Sequence, residues 1–543
     1  MALPLGFVNV MFISTSTVTL LVSLLALINY SQTSQHSQGT GAGRPNFIVL
    51  FADDIGWGDL GANWNPNKSS NTPNLDQLAA GGIRFTDFHA GASVCTPSRA
   101  ALLTARLGLR TGVVHNFEVR SIGGLPLNET TFAETFKAAG YKTGMIGKWH
   151  LGVHGHYHPH YRGFDYYFGL PYSNDMGCLD HTGFDIPSCG PCKRDNKTLS
   201  YAIEHSSNDL TCEEKNALPL YENSKIIEQP TDIYSLSERY AGKIHEFIVN
   251  SSNSEQPFLL YVAFAHMHTP LAHAKTFTNT SHGVYGDTLR ELDDVIGKIV
   301  TTVRDVGKEN DTLIWFTGDN GPWAKKCQYG GSRGPFLGSW QHDHGGGGSS
   351  GKLTLWEAGH REPSLAYWPG HIPAGHVTNS LLSSMDIYPT MAAIAGVTMP
   401  KYRKYDGIDV SNVLFNKEEI KERALFHPNS RTAGSYGQLD GIRLGKYKAV
   451  YETGGTPECG GKRGPPTRHD PPLIFNLDKD PAEKHALDNT SEEYNTVHTA
   501  MKNALDFVME DIHKDNTTTV DYRQDPSGAP CCNPKHVVCR CKD

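Results

Sequence analysis

The feature that most constrains the fold is a set of four short apolar segments, each followed by polar residues. They read NFIVLF (46–51), TGMIG (143–147), FLLYVAF (258–264) and TLIWFT (312–317). Such short runs of branched and aromatic residues are typical of buried strands. Between the last two, apolar residues recur at helical spacing from 289 to 303, as a crossover helix requires. The pattern predicts an α/β fold, with helices flanking a large, mostly parallel sheet over residues 44–412.

A smaller domain is predicted after this region. Residues 413–543 contain short strand candidates at 441–451 and 472–477, followed by helical spacing around 493–512. This succession predicts a C-terminal α+β domain that ends in a cysteine-rich tail.

Polar residues stand at the carboxyl end of each predicted strand. In chain order they are Asp53 and Asp54, Lys148 and His150, His266 and His268, and Asp319 and Asn320. Ligands bind at this edge of open α/β sheets, so we expect these side chains to converge on one site. A helix cap or a turn would explain any single pair, but it explains four pairs together less well.

Oxygen ligands predominate among these residues. Asp53, Asp54, Asp319 and Asn320 offer carboxylate and amide oxygens, a donor set that suits calcium or magnesium. Three carboxylates at one sheet edge would repel one another unless a cation or basic side chains were present. The basic candidates are Arg99, Lys148 and Lys352.

The segment VCTPSRAALLTAR (94–106) places a cysteine close to a predicted helix. Pro97 suits the first helical position, which would put Cys95 just before a helix N-terminus with Arg99 one turn further on. A helix N-terminus is a natural site for an anion. Composition alone favours Cys95 as half of a disulfide, the usual state of a cysteine in a secreted chain.

Two stretches of the sequence carry a family resemblance. CTPSR (95–99) resembles the signature at which the formylglycine-generating enzyme oxidises a cysteine, and GKWHLG (147–152) resembles a second signature of the sulfatase family. The resemblance, to sulfatases of the arylsulfatase type, extends from NFIVLFADDIGWGDLG to the cysteine-rich tail. It implies an alkaline phosphatase-like sulfatase fold and a sulfuric ester hydrolase.

The resemblance also implies roles for individual residues. One calcium ion per chain would be bound by Asp53, Asp54, Cys95, Asp319 and Asn320. Cys95, as formylglycine, would act in catalysis with Arg99, His150 and His268. Substrate would be bound by Lys148, Ser173, His268 and Lys352, whereas His266 is not expected to act.

The implied chemistry begins with formylglycine hydrated to a geminal diol. One hydroxyl attacks sulfur, and His268 gives a proton to the leaving oxygen. The second hydroxyl then loses its proton to His150, which releases sulfate and restores the aldehyde. The resemblance implies a glycosaminoglycan substrate, specifically the 3-O-sulfate of glucosamine in heparan sulfate, in addition to aryl sulfates.

Several features favour the secretory route, with the lysosome or the exterior as destination. The apolar run at 18–28 predicts a signal peptide over residues 1–31, so no stable membrane anchor is expected, although an uncleaved anchor is the alternative. Eight N-x-Ser/Thr sequons are present, at Asn67, Asn128, Asn196, Asn250, Asn279, Asn310, Asn489 and Asn516. The tail cysteines are interpreted as disulfides, and because the chain has 11 cysteines, at least one is left without an internal partner.

Other functions are less consistent with the sequence. A net charge of −8 with scattered basic residues argues against nucleic-acid binding. A phosphohydrolase of the alkaline phosphatase type would need a Ser or Thr nucleophile where CTPSR stands, and a non-catalytic glycan-binding protein would not need the full set of site residues. The histidine-rich stretch 150–160 could suggest a transition-metal site, but apart from His150 we interpret it as a loop.

Overall fold

The computed structural model describes residues 43–65, 71–184, 213–430, 434–536 and 538–541. The predicted signal peptide, residues 1–31, lies outside the described residues. Within the described ranges, no helix combines the length and the apolar character needed to cross a membrane.

Most strands belong to one large sheet. Its members are β1 (Asn46–Ala52), β2 (Ile83–His89), β3 (Lys142–Gly147), β4 (Tyr166–Gly169), β7 (Leu220–Glu222), β8 (Lys225–Glu228), β9 (Phe258–Ala263), β10 (Thr312–Gly318), β11 (Arg361–Tyr367), β12 (His376–Thr378) and β13 (Leu382–Ser383). The short strands β5 (Gly177–Cys178) and β6 (Glu213–Ala217) pair with each other. A second sheet contains β14 (Ala424–Pro428), β15 (Leu439–Leu444), β16 (Tyr447–Thr453) and β17 (Thr467–Asn476).

The α-helices of the described residues vary from one turn to six. They are α1 (Pro73–Gly81), α2 (Cys95–Thr104), α3 (Gly108–Thr111), α4 (Phe132–Ala138), α5 (Leu236–Ser252), α6 (Gly283–Asp305), α7 (Ser339–Asp343), α8 (Glu357–His360), α9 (Ile387–Ala395), α10 (Ser411–Asn416) and α11 (Glu492–His513). The predicted crossover helix lies within α6.

The four predicted strands are neighbours in the large sheet. The sheet order is β12-β2-β11-β10-β1-β9-β3-β4-β7-β8, with β13 paired to β2. Strands β10, β1, β9, β3 and β4 run parallel, whereas β11, β7 and β8 pair antiparallel with their neighbours. The sheet is therefore mixed, with a parallel centre formed by the predicted strands.

Both faces of this sheet are covered by helices. Ile48 and Leu50 of β1 pack in a core with residues of α1, α5 and α6. Phe47, Val49 and Phe51 point to the other face and pack with residues of α2, α4 and α9. Because successive side chains of a strand alternate between faces, a continuously apolar strand such as β1 fits only between two apolar layers.

The C-terminal region forms the antiparallel sheet β14-β15-β16-β17. The predicted strand at 441–451 is a hairpin, since β15 ends at Leu444 and β16 begins at Tyr447, with Gly445 between them at φ 52°. Helix α11 packs on this sheet through Tyr494, Val497 and Met501. Disulfides Cys531–Cys539 and Cys532–Cys541 close the tail, which confirms the interpretation of its cysteines.

Candidate active site

The polar residues predicted at four strand ends do converge. Asp53 and Asp54 follow β1, and Asp319 and Asn320 follow β10, the strand beside it. Lys148 follows β3 and donates a hydrogen bond of 2.5 Å from Nζ to Asp53 Oδ2. All of these side chains are buried. The parallel centre of the sheet thus builds one polar cluster at its carboxyl edge.

Three basic side chains separate the carboxylates. Arg99 on α2 donates to Asp319 Oδ2 from Nε at 3.0 Å and from Nη2 at 2.7 Å, and its Nη2 lies 3.3 Å from Asp53. Lys352 donates from Nζ to Asp54 Oδ1 at 2.5 Å. Lys148 completes the set through Asp53. The basic residues proposed from the sequence therefore do contact the carboxylates.

Two buried oxygens of the cluster have no hydrogen-bond partner among the described residues, namely Asp54 Oδ2 and Asn320 Oδ1. The Asn320 amide donates to Asp54 Oδ1 at 2.7 Å and to the carbonyl of Gly321 at 3.0 Å. A buried, unsatisfied oxygen is costly unless a bound group supplies its partner. With the neighbouring carboxylates, these oxygens form a donor set that fits a hard cation such as calcium.

Cys95 is fully buried at the start of α2. Its Sγ lies 3.6 Å from Asp53 Oδ1 and accepts a contact of 3.4 Å from Lys352 Nζ. It is the one free cysteine within the described ranges. Burial raises the pKa of the Cys95 thiol to about 12, although Lys148 and Lys352 oppose the shift.

Helix α2 begins two residues earlier than Pro97 predicts. Cys95 itself is the first helical residue, and Pro97 occupies the third position. The first amide groups of a helix have no intrahelical acceptor, so a proline within the first turn costs no hydrogen bond. The amide of Thr96 instead donates to Asn116 Oδ1 at 3.0 Å.

The rings of His268 and His150 each have one nitrogen within hydrogen-bonding distance of a backbone carbonyl. The other nitrogen of His268 faces the polar cluster, and the other nitrogen of His150 has no partner among the described residues. His268 Nδ1 lies 2.6 Å from the carbonyl of Thr269, while its Nε2 lies 3.7 Å from Asp54 Oδ2. His150 Nε2 lies 3.2 Å from the carbonyl of Phe117, and its Nδ1 has no partner among the described residues. These contacts favour protons on His268 Nδ1 and His150 Nε2 in the neutral rings.

Two further residues named in the sequence, His266 and Ser173, are buried near the cluster. His266 Nε2 shares a 2.7 Å hydrogen bond with Ser237 Oγ, consistent with a buried histidine outside the chemistry. Ser173 is buried directly before Asn174, whose amide donates to the carbonyl of His268 at 3.3 Å. Ser173 thus belongs to a segment that touches the site.

Asp175 and Trp323 were missed in the sequence. Asp175 Oδ1 lies 3.9 Å from His268 Nδ1, and the Trp323 ring is centred 5.4 Å from the His268 ring. They lie several residues beyond the ends of β4 and β10, in segments where no periodicity places a side chain. Only their position next to Ser173 and Asn320 could have indicated them.

Burial and charge shift the pKa values of the carboxyl groups in different directions. Burial would raise the pKa of Asp53, but Lys148 and Arg99 outweigh it and hold the pKa well below its usual range. Burial raises the pKa of Asp319 to about 6 and that of Asp175 to about 7. Burial also lowers the pKa of His150 and of His268 well below the usual histidine value.

The glycine-rich stretch 342–351 brings Lys352 to the cluster. Its first two residues end helix α7 and the rest is a loop, of which residues 347–351 are buried. Gln341 donates from Nε2 to the carbonyls of Gly345 and Gly347 at 3.0 and 2.7 Å. The amide of Lys352 donates to the carbonyl of Pro322 at 3.0 Å. The histidine-rich stretch 150–160 contributes no metal-binding group among the described residues.

A cluster of this kind suits an enzyme that holds an anionic ester beside a proton donor and cleaves it. The chain matches the family model Sulfatase over residues 45–397 and the model for the C-terminal region of aryl-sulfatase over residues 421–541. It therefore belongs to the sulfatase family and is a sulfuric ester hydrolase. This membership sets aside the phosphohydrolase and the non-catalytic glycan-binding protein.

Individual relatives agree with this assignment. The chain is 53% identical over 504 residues to Arylsulfatase G of Rattus norvegicus, covering 93% of this chain and 94% of that protein. It is 41% identical over 456 residues to Arylsulfatase A of Homo sapiens, covering 82% and 83%. A crystal structure of a sulfatase from Pseudoalteromonas sp. is similar in fold, with a TM-score of 0.73, 25% identity and coverage of 93% and 96%.

Proposed function

We propose that this sulfatase carries formylglycine at position 95, binds one calcium ion beside it, and acts on a glycosaminoglycan as well as on aryl sulfates. The proposed natural substrate is the 3-O-sulfate of glucosamine in heparan sulfate. The observation that carries the proposal is Cys95, which is unpaired, buried and in contact with Asp53 and Lys352. A cysteine kept out of disulfides at this position is available to the formylglycine-generating enzyme.

The state of the thiol supports its conversion. A thiol whose pKa burial raises to about 12 is almost entirely protonated at neutral or acidic pH, and a protonated thiol is a poor nucleophile. Formylglycine supplies, once hydrated, an oxygen nucleophile that does not depend on a thiolate. Lys352 Nζ, at 3.4 Å from Sγ, would help to hold the sulfate group at this position.

The calcium ion would be held by Asp53, Asp54, Asp319 and Asn320, with the residue at position 95 as a further ligand. Calcium supplies positive charge that neutralises carboxylates and sulfate oxygens. Arg99 and Lys148 orient Asp319 and Asp53 through the hydrogen bonds described above. The unsatisfied oxygens of Asp54 and Asn320 support a cation at this position.

His268 is assigned the proton that the leaving oxygen needs. The neutral ring carries its proton on Nδ1, which the carbonyl of Thr269 holds, so His268 must first take up a second proton at Nε2. This nitrogen faces the acidic cluster and would give that second proton to the leaving oxygen. His150 is assigned the acceptance of a proton during sulfate release. Its Nδ1 is buried without a partner among the described residues and has a lone pair available for that proton.

The compartment is proposed on two observations. Disulfides Cys327–Cys459, Cys531–Cys539 and Cys532–Cys541 indicate an oxidising environment during folding. The sequons are consistent with a glycoprotein of the lysosome or of the exterior. We further propose a signal peptide over 1–31, a catalytic domain over 44–412 and a C-terminal domain over 413–543.

Desulfation of defined heparan, chondroitin and aryl sulfates at acidic pH tests the substrate. We expect release of sulfate from glucosamine 3-O-sulfate and from aryl sulfates. Activity on aryl sulfates alone would contradict the glycosaminoglycan assignment.

Elemental analysis of the same preparation tests the metal. One calcium per chain is expected, because the donor atoms are hard oxygens. Stoichiometric zinc, or full activity after exhaustive chelation, would contradict the site as proposed.

A further inference from the structure

The main chain of His150 is held in a conformation that few residues adopt. Its φ is 61°, in the left-handed region that favours glycine, and the residue is buried. Such a conformation costs free energy and persists only where the surrounding contacts enforce it. The contacts that hold the main chain of His150 therefore decide where its imidazole ring lies.

Thr96 provides one of these contacts. Its hydroxyl donates from Oγ1 to the carbonyl of His150 at 2.8 Å, and the side chain of Thr96 is fully buried. On the other side, the amide of His150 donates to the carbonyl of Pro171 at 2.9 Å. The loss of the Thr96 hydroxyl would remove the donor to a buried carbonyl, which is costly.

Thr96 also lies beside the reacting residue. It directly follows Cys95 in the first turn of α2, and its amide donates to Asn116 Oδ1 at 3.0 Å. The carbonyl of Phe117, the residue after Asn116, lies 3.2 Å from His150 Nε2. One hydroxyl thus joins the turn that carries position 95 to the main chain of His150, while the segment 116–117 contacts both the turn and the ring.

We propose that Thr96 is a positioning residue that keeps the ring of His150 in place for the release of sulfate. The inference rests on the proposed function, in which His150 accepts the proton of the hydroxyl that remains at position 95. Thr96 acts only through His150 and does not touch the substrate. Without the Thr96 hydroxyl, the main chain of His150 is free to leave the left-handed region and to carry the ring away.

The step that Thr96 supports is a proton transfer coupled to bond cleavage. His150 Nδ1, which has no partner among the described residues, takes the proton of the remaining hydroxyl. The electron pair of that O–H bond forms the second bond of the aldehyde carbonyl. The bond from the same carbon to the sulfate oxygen breaks, and its electron pair leaves on sulfate. Cleavage of the substrate ester precedes this step and does not depend on Thr96.

Kinetics of Thr96→Val on nitrophenyl sulfate tests the inference, because valine keeps the shape of threonine and lacks the hydroxyl. Release of sulfate should become the slow step, so we expect kcat and KM to fall together on the order of ten-fold, as for one lost hydrogen bond, with kcat/KM nearly unchanged. A burst of nitrophenolate equal to the amount of active enzyme should precede the slow turnover. In the quenched reaction, the peptide that contains position 95 should carry the added mass of a sulfate group.

Two variants serve as controls. Thr96→Ser keeps the hydroxyl and should retain the kinetics of the wild type. Thr104→Val makes the same substitution at a buried threonine of α2 whose hydroxyl donates to the carbonyl of Ala100 at 2.7 Å, and it should leave kcat and KM unchanged.

Conversion of Cys95 is measured separately, because Thr96 lies within CTPSR (95–99). The aldehyde content of each variant is determined by carbonyl trapping, and rates are expressed per aldehyde. Thr96→Ala also lacks the hydroxyl and replaces Thr96→Val if the latter is not converted.

Wild-type kinetics in Thr96→Val, or a fall in kcat with unchanged KM and no burst, would overturn the positioning role while leaving the sulfatase function intact. His150→Ala tests the assignment on which the inference rests, and it should show the burst and the joint fall of kcat and KM. If His150→Ala showed neither, the proposed role of His150 would be wrong, and the inference with it.

Discussion

At the residue scale, His268 offers a test of the proposed proton transfer. Its Nε2 faces the acidic cluster, 3.7 Å from Asp54 Oδ2. We expect His268→Ala to slow cleavage of a sugar sulfate about 10²–10⁴-fold, the usual contribution of general acid catalysis. An activated nitrophenyl sulfate should be slowed much less, because nitrophenolate leaves without a proton. Measuring the rates of both substrates with wild type and with this one variant gives the ratio of the two losses in rate.

The matched control is His266→Ala, since His266 is a nearby buried histidine that bonds Ser237 and is not assigned a role. This variant should leave the ratio of the cleavage rates of the two substrates unchanged. If His268→Ala slowed both substrates by one factor, His268 would position the sulfate and not donate the proton.

Several site residues could be predicted from the sequence for a physical reason. Asp53, Lys148 and Asp319 directly follow apolar strands, so the parallel topology alone brings them together. Trp323 and Asp175 could not be predicted, because they lie in irregular segments whose paths depend on tertiary packing. Lys352 could be named from the sequence only as a basic candidate, and its contact with Asp54 could not be predicted, since a glycine-rich loop has no periodicity to place it.

At the scale of elements, Lys448 on β16 joins the small sheet to α8. Its Nζ lies 3.0 Å from Glu357 and 3.3 Å from Glu483, and all three side chains are fully buried. We expect Lys448→Met to lower the free energy of unfolding by about 3 kcal/mol, because it leaves the buried carboxyl of Glu483 facing Glu357 without Lys448 between them, while Glu357 keeps its contacts with Arg361 and Arg443. Chemical denaturation at neutral pH measures the change.

Lys446→Met is the matched control, since Lys446 is exposed on the same hairpin. Its effect should stay within about 0.5 kcal/mol, as is usual for surface substitutions. Similar stabilities for the two variants would show that the buried contacts of Lys448 do not hold the sheet to α8.

Elements were predictable where the sequence pattern is strong. The strands β1, β9 and β10 are almost continuously apolar, β3 is buried over its last five residues, and α6 has a regular helical stripe, so burial in the core dictates these elements. The strands β7, β8 and β12, at or next to the edges of the sheet, are only three or four residues long, and packing with other parts of the chain decides them. Pro97 predicts a start of α2 that is two residues late, because a proline fits several positions of a first helical turn.

At the scale of the whole molecule, three buried histidines make stability depend on pH. His427 of β14 stacks on His360 at 4.0 Å and on His89 at 5.1 Å. Burial lowers the pKa of all three rings, and Arg443 and Lys448 add repulsion. Below about pH 6.5 the unfolded chain takes up protons that the folded chain resists, so their contribution to stability is full above that pH and is lost as the pH falls.

We expect His427→Phe to flatten this dependence. For each ring that stays neutral in the folded chain, the free energy of unfolding falls by about 1.4 kcal/mol per pH unit below about pH 6.5. The variant removes one such ring while keeping an aromatic stack. Thermal unfolding at pH 5 and pH 7.5 measures the difference within each protein. His156→Phe, at an exposed histidine, should keep the wild-type difference, and an undiminished difference in His427→Phe would contradict the assignment.

Asp175 makes stability depend on pH in the opposite direction to the three histidines. Burial raises its pKa from 3.8 to about 7, so the folded chain holds a proton that the unfolded chain lacks between these values. Its contribution to stability is therefore full below 3.8 and is lost as the pH rises through about 7. Measurements on His427→Phe should thus be compared with wild type at each pH and not with a flat baseline.

The identity of the group at position 95 decides the account as a whole. Peptide mass spectrometry of protein from a secretory host, with and without a carbonyl-trapping reagent, measures it directly. We predict an aldehyde in the peptide that contains Cys95, in an amount that follows specific activity from one preparation to the next. A fully active preparation in which this peptide carries only an unmodified thiol would contradict the account.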